Sequence, residues 1–132
     1  MLRIKRKIVE SIIAHALREM PMEACGYLAG TGGIVTLCQK MTNVDASAEH
    51  FSFDAQEQFD FLKAVRARGL KILAVYHSHP AAPASPSMED IILANDPDLY
   101  HVIVSLAGDR PVVRSYRIEN GAAEEIGLEI TE

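Results

Sequence analysis

Apolar residues near the start of the chain recur at the spacing of a helix. They lie mostly on one face between Lys7 and Met20, and this period predicts an amphipathic helix. Pro21 disfavours helical geometry in the residue before it, so the helix should end there. The basic cluster from Arg3 to Lys7 is interpreted as a solvent-exposed start of the chain.

Two apolar runs of strand length follow, Cys25–Ala29 and Ile34–Met41. The glycine-rich segment 30–33 between them predicts a hairpin. If the loop comprises all four residues, Cys25 and Cys38 face each other, whereas a shift of one residue separates them. No disulfide is therefore predicted, and both cysteines are interpreted as small buried apolar residues.

A second helix is predicted from the spacing of Asp54 and Glu57, which resembles a capping box, to Gly69. Its predicted core-facing side chains are Phe59, Leu62 and Val65.

The second half of the chain contains short apolar runs that predict strands. These runs are Ile72–Tyr76, Val102–Leu106, Val112–Ile118 and a terminal strand that carries Ile126, Leu128 and Ile130. A stiff loop with two prolines over Ala81–Pro86 and a short helix from about Ser87 to Ala94 separate the first two strands. This order of elements predicts an α/β fold with one mixed β-sheet and packed helices.

The chain has 132 residues, of which 48% are hydrophobic and 23% charged. This length fits a single domain over residues 1–132, and the apolar content is sufficient for a folded core. No apolar stretch approaches the length of a membrane-spanning helix. The apolar residues near the N-terminus are interrupted by charged ones, unlike those of a signal peptide. The expected location is therefore the cytoplasm.

Charge narrows the range of partners. The 13 Lys and Arg residues against 18 Asp and Glu residues give a net charge of −5. Nucleic-acid binding depends on neutralisation of phosphates by basic side chains. Neither a nucleic acid nor a membrane is therefore expected as a partner.

Candidate chemistry is concentrated between His77 and Asp90. Residues i and i+2 of a strand point to the same face, so His77 and His79 should present two imidazoles side by side. Asp90 lies 11 residues beyond His79 and can return as a third ligand. Two imidazole nitrogens and one carboxylate leave one position of tetrahedral zinc open, which is typical of a catalytic site.

Each of these residues also has a structural interpretation. A lone His-x-His pair is often a coincidence, and Ser87 with Asp90 fits the capping of a helix N-terminus. Glu23 fits an ordinary solvated carboxylate. His15, His50 and His101 are interpreted as structural or surface residues. Cys25 is expected to be a packing residue, because a cysteine nucleophile needs an activating base beside it.

The residues taken together resemble a known motif. Glu23-Ala24-Cys25-Gly26, His77-Ser78-His79-Pro80 and Ser87-x-x-Asp90 are similar to the JAMM motif of the MPN-plus metallopeptidases. This family includes deubiquitinases and small bacterial relatives, and the resemblance implies an MPN (cytidine deaminase-like) fold. It also implies one zinc ion per chain, held by His77, His79 and Asp90. Glu23 then matches the general acid/base, and Ser87 matches the serine that stabilises the developing oxyanion.

The resemblance implies a zinc-dependent peptidase or isopeptidase. Its expected substrate is a ubiquitin-like sulphur-carrier protein, cleaved after the C-terminal Gly-Gly by zinc-activated water. At 132 residues, the chain has no room for the insertions of eukaryotic relatives, so selectivity for one ubiquitin linkage is not expected. One alternative is a non-catalytic, zinc-stabilised module that binds ubiquitin-like proteins. A zinc hydrolase acting on a nucleobase is another, but the Cys-x-x-Cys ligands of zinc deaminases are absent.

Overall fold

The computed structural model describes residues 1–132 and contains eight strands and three helices. In chain order, the elements are β1 (Leu2–Lys5), α1 (Arg6–Glu19), β2 (Cys25–Thr31), β3 (Ile34–Met41), α2 (Ala55–Ala67), β4 (Lys71–His79), α3 (Met88–Leu93), β5 (Tyr100–Ser105), β6 (Val112–Glu119), β7 (Ala122–Ile126) and β8 (Leu128–Thr131). All strands join one sheet in the order β7-β6-β5-β4-β2-β3-β1-β8. The β1–β3, β1–β8 and β4–β5 pairs are parallel and the others are antiparallel. The predicted mixed sheet with packed helices is confirmed.

The two edge strands of the sheet, β7 and β8, are neighbours in sequence and are separated only by Gly127. The sheet must therefore curl until its edges come together. The carbonyl of Gly127 accepts a 2.8 Å hydrogen bond from the amide of Leu2 at this junction. The single predicted terminal strand is wrong, because the chain changes partner at Gly127, from β6 to β1.

The start of the chain forms a strand, which was not expected, although Arg3, Arg6 and Lys7 are solvent-exposed as interpreted. Strand β1 lies between β3 and β8, with Leu2 and Ile4 fully buried. The intervening Arg3 points outward and lies 3.4 Å from Glu129. Alternation along a strand therefore accommodates basic side chains on one face while the apolar ones enter the core.

Helix α1 fills the inner face of the curled sheet, as its amphipathic pattern predicts. Its buried side chains form one core cluster with residues from β1 to β5. The cluster consists of Leu2, Ile4, Ile8, Val9, Ile12, Ala16, Leu28, Val35, Ala74, Tyr76, Val102 and Val104. No helix of the protein has the length and apolar character needed to cross a bilayer.

Helix α2 packs on the outer face of the sheet. Its buried residues are Phe61 and Val65, and the ring of Phe61 stacks on Tyr27 at 5.4 Å. Val65 was predicted correctly, whereas Phe59 and Leu62 are 57% and 43% exposed. The helix carries two apolar stripes, and stacking on the flat ring of Tyr27 selects the stripe that contains Phe61.

Asp54 caps helix α2 as predicted, by accepting a 3.0 Å bond from the amide of Glu57. The reciprocal half of the capping box is absent. The carboxylate of Glu57 instead accepts bonds from the amide and hydroxyl of Thr42, at 2.8 and 2.7 Å. Glu57 therefore joins the end of β3 to the start of α2.

The predicted hairpin of β2 and β3 is confirmed, with a shorter turn. Only Gly32 and Gly33 connect the strands, and their φ angles of 62° and 74° require glycine or a similarly tolerant residue. In this register Cys25 is opposite Met41 and Leu28 is opposite Cys38. The two cysteines are therefore separated, and both thiols are free.

Candidate metal centre and active site

Strand β4 carries both histidines of the site on the outer face of the sheet. His77 and His79 are buried, with 2% and 4% of their surfaces exposed. As expected for residues i and i+2 of a strand, their imidazoles lie side by side, with the two Nε2 atoms 3.1 Å apart. The ring of Phe51 stacks on His77 at 4.8 Å and fixes its orientation.

Asp90 reaches the same point from the first turn of α3. Its Oδ2 atom lies 3.2 Å from the Nε2 atoms of both His77 and His79. The capping interpretation is also confirmed, because Asp90 Oδ2 accepts a 2.9 Å bond from the amide of Ser87 while Ser87 Oγ accepts a 3.0 Å bond from the amide of Asp90. The capping box therefore orients the carboxylate toward the histidines.

The arrangement of these three side chains fits a metal ion. Atoms about 2.0–2.1 Å from a tetrahedral zinc lie about 3.3 Å from one another, close to the observed 3.1–3.2 Å separations. His79 Nδ1 donates a 2.8 Å bond to the carbonyl of Pro83. This bond selects the tautomer whose Nε2 lone pair faces the cluster, as metal ligation requires.

Hydrogen bonds within the cluster favour the charged forms of His79 and Asp90. Burial by itself lowers the pKa of His79, but hydrogen bonds to Asp90 and to the carbonyl of Pro83 outweigh it and raise the pKa. Burial alone raises the pKa of Asp90, yet the bonds from His77 and His79 hold it far below its ordinary value. Asp90 is therefore an anion that faces the two imidazoles.

Glu23 precedes strand β2 and is held against β4 by its neighbour Ala24. The amide of Ala24 donates a 2.8 Å bond to Ser78 Oγ, and its carbonyl accepts a 3.0 Å bond from the amide of Ser78. Ser78 lies between the two histidines, so these bonds fix the backbone beside Glu23 against the strand of the site. The amide of Glu23 donates a further 2.8 Å bond to the carbonyl of Ser47.

The side chain of Glu23 is a buried carboxylate without a structural partner. Only 3% of the residue is exposed, and Oε1 has no hydrogen bond. Burial raises the pKa of Glu23 to about 7, and the charge of His79 opposes this effect. The interpretation of Glu23 as an ordinary solvated carboxylate is therefore wrong.

Sequence reasoning missed the side chains that hold the segment between β4 and α3. Three carbonyls of this segment accept hydrogen bonds from the sheet: Pro83 from His79, Ala82 from Ser105 Oγ at 2.6 Å, and Ala84 from the hydroxyl of Tyr116 at 2.5 Å. Because α3 follows directly, these bonds determine where Asp90 lies. A serine on β5 and a tyrosine on β6 give no local sequence signal for this role.

Replacing Tyr116 with phenylalanine is expected to weaken zinc binding about 10-fold, the lower end of the effect of removing groups that orient ligands. The substitution leaves the carbonyl of Ala84 without its donor and frees the segment before Asp90. Competition with a chromophoric chelator measures the affinity. Tyr100→Phe is the matched control, because the hydroxyl of Tyr100 makes no hydrogen bond within the chain. Unchanged zinc affinity in Tyr116→Phe would show that the bond is only structural.

The remaining histidines and Cys25 stay outside the cluster, as predicted. His15 Nδ1 lies 2.8 Å from the hydroxyl of Tyr76, and His50 Nδ1 lies 3.1 Å from Asp45 Oδ2. His101 lies on β5 and lines the cavity next to the site, together with His77. Burial raises the pKa of the Cys25 thiol to about 12, so the thiol is protonated and is no nucleophile at neutral pH.

Comparisons with known proteins agree with this geometry. The family of prokaryotic homologs of the JAB domain matches residues 5–119. A CysO-cysteine peptidase from Mycobacterium tuberculosis is 37% identical over 132 residues, or 98% of this chain and 90% of the relative. A probable TtuB-protein conjugate cleaving protease from Thermus thermophilus is 38% identical over 91 residues, or 68% of this chain and 61% of the relative.

Two solved structures share the fold. The solution structure of a protein from Desulfitobacterium hafniense has a TM-score of 0.91 at 40% identity and covers 100% of this chain and 94% of its own. A JAB1/MPN domain protein from Archaeoglobus fulgidus has a TM-score of 0.70 at 23% identity, over 98% of this chain and 97% of its own. The chain therefore belongs to the family of prokaryotic JAB-domain proteins, has the MPN fold, and is a peptidase of the JAMM type.

Proposed function

We propose that this protein is a zinc-dependent peptidase that hydrolyses the amide bond after the C-terminal Gly-Gly of a ubiquitin-like sulphur-carrier protein. The observation that carries the proposal is the convergence of His77 Nε2, His79 Nε2 and Asp90 Oδ2. Beside it lies the carboxylate of Glu23, whose buried Oε1 has no partner. His77, His79 and Asp90 would hold one zinc ion per chain.

A zinc ion held there would polarise the scissile carbonyl and lower the pKa of a water molecule toward about 7. Glu23 then acts as the general base, because its carboxylate has no hydrogen bond that competes for the proton. The same side chain returns the proton to the amine that leaves. The bonds between Ala24 and Ser78 keep this carboxylate beside the histidines throughout the reaction.

Ser87 acts through its hydroxyl at the start of α3. Its Oγ accepts the amide hydrogen of Asp90, and its own hydrogen stays free to donate to the substrate. Ser87 is exposed, so a substrate carbonyl has access to it. The proposed role is donation to the oxyanion, whose charge develops only in the transition state.

The proposed substrate rests on the functions of the relatives and on the shape of the site. One relative is described as a peptidase for CysO-cysteine and another as a protease for TtuB-protein conjugates. An extended tail without side chains fits a buried centre flanked by α3 and the loop that carries Phe51, since glycine permits close backbone approach. The orphaned oxygen of Glu23 favours this enzyme over a binding module with structural zinc, which needs no base.

The substrate proposal is tested by mass spectrometry of sulphur carriers that carry extra residues after Gly-Gly. Zinc-loaded protein should release a carrier that ends in Gly-Gly, whereas a carrier with valine in place of the last glycine should stay intact. The Glu23→Gln variant serves as the inactive control. Equal cleavage of both tails, or cleavage of unrelated peptides alone, would contradict the substrate assignment.

A further inference from the structure

A cavity of about 260 Å³ opens directly beside the proposed metal centre. His77 and Asp90 line both the cavity and the centre. Its floor is the outer face of β2, β4 and β5, and its walls come from the segment before α2 and from α3 with the loop that follows. A substrate segment next to the scissile bond can therefore enter it.

One wall of the cavity is a continuous row of aromatic rings. Phe51 stacks on His77 at 4.8 Å, the rings of Phe51 and Phe53 are 5.5 Å apart, and Phe53 is 4.8 Å from Tyr27. Leu93 faces the cavity from α3 even though it is 65% exposed. These surfaces suit an aliphatic chain, and the faces of the rings attract a cation.

Apart from its histidines, the ionisable side chains of the cavity that carry charge at neutral pH are all acidic. Glu89, Asp90 and Asp96 line it, whereas no lysine or arginine does. On the floor, the Nε2 atom of His101 is buried and has no hydrogen-bond partner. A ligand group that carries a positive charge is therefore complementary to the cavity.

We propose that this cavity binds a substrate side chain with an aliphatic stem and a terminal cation, that of lysine or arginine, at the residue directly before or directly after the Gly-Gly pair. The stem lies along Phe51 and Phe53, and the cationic head donates to the carboxylates of Glu89 and Asp96. The side chains of lysine and arginine have hydrogen-bond donors only, which match the oxygens of these two carboxylates. The inference rests on the proposed function, because it assigns a subsite of the same active site.

The test uses two series of Gly-Gly carriers. One series varies the residue directly before the Gly-Gly pair, and the other varies the residue directly after it. Lysine, leucine and glutamate are placed there in turn, and kcat and KM are measured for each carrier. At one of the two positions, kcat/KM for lysine should exceed that for glutamate by about 10-fold or more at low salt. The ratio should shrink at high salt, because the carboxylates at the rim are screened.

The double variant Glu89→Gln/Asp96→Asn should lower the lysine-to-glutamate ratio about 5- to 10-fold. The asparagine keeps the acceptor that binds the amide of Asp98, so the loop is preserved. Glu119→Gln/Glu124→Gln, with both changes exposed on β6 and β7, is the charge-matched control. If wild-type protein cleaves all three carriers equally, the subsite is wrong and the proposed function stands. If it cleaves no Gly-Gly carrier, the proposed function itself fails.

Discussion

Glu23→Gln is expected to lower kcat by about 10²–10⁴, the range for loss of a general acid/base, while zinc stays bound. Glutamine has the shape of glutamate but cannot accept the proton of an attacking water. The backbone anchor of this segment runs through Ala24 and Ser78, so the substitution leaves it intact. Single-turnover rates and zinc content, measured on the same preparation, check both halves of the prediction.

The same substitution should stabilise the protein in its metal-free form at neutral pH. Because burial raises the pKa of Glu23 to about 7, the folded state keeps a proton that the unfolded state loses above about pH 4.5. Stability therefore falls as the pH rises through this window. Glutamine has no such proton to lose. The free energy of unfolding should therefore rise by about 1–3 kcal/mol at pH 7 and change little at pH 4.

Urea unfolding of both chelator-treated proteins at the two pH values measures the difference. Glu124→Gln, on the exposed face of β7, is the control for loss of a carboxylate. Loss of zinc from Glu23→Gln would identify Glu23 as a metal ligand instead of a base. A stability gain of equal size at both pH values would contradict the titration of Glu23 as its cause.

Asp90→Ala is expected to abolish activity and to weaken zinc binding by about 10²–10³. Structural zinc binding of about 10–16 kcal/mol, shared among four ligands, corresponds to about 2.5–4 kcal/mol for each. The stabilisation by zinc should shrink in parallel, since metal that binds only the folded state adds to its stability. Elemental analysis and thermal unfolding with and without zinc test these expectations.

Asp90 also caps α3, so a second variant must separate its two roles. Asn at position 90 keeps an oxygen that can accept the amide hydrogen of Ser87, but it lacks the negative charge that a metal ion favours. Asp90→Asn should therefore keep the capping bond to Ser87 while losing zinc affinity. Ser87→Ala should instead keep the zinc affinity and lower the free energy of unfolding by about 1 kcal/mol, because the capping bond to the amide of Asp90 is lost. If Asp90→Asn bound zinc as tightly as the wild type, Asp90 would be a capping residue only.

Some parts of the site could be predicted from the sequence because their geometry depends only on residues close together in the chain. The alternation of β4 places His77 and His79 on one face, and the three-residue spacing of a capping box connects Ser87 to Asp90. The hairpin of β2 and β3 is similarly local, since two glycines supply the positive φ angles of its turn. Periodicity likewise predicted α1 to within one residue at each end.

Other elements depend on partners distant in the chain. Strand β1 has four residues and two basic side chains, and it forms because β3 and β8 supply its hydrogen bonds. The choice of Phe61 over Phe59 on α2 follows from the ring of Tyr27, which no property of the helix itself reveals. The split of the last strand at Gly127 likewise follows from closure of the sheet.

The sequence indicated which side chains are candidates for the chemistry, whereas the tertiary structure decided how those distant in the chain meet. Glu23 and Ser78 are 55 residues apart, and only the pairing of β2 with β4 brings the proposed general base to the histidines. Ser105 and Tyr116 reach the carbonyls before α3 from two further strands. Such contacts depend on sheet order and register, which are set by the packing of the whole core and leave no pattern in any short segment.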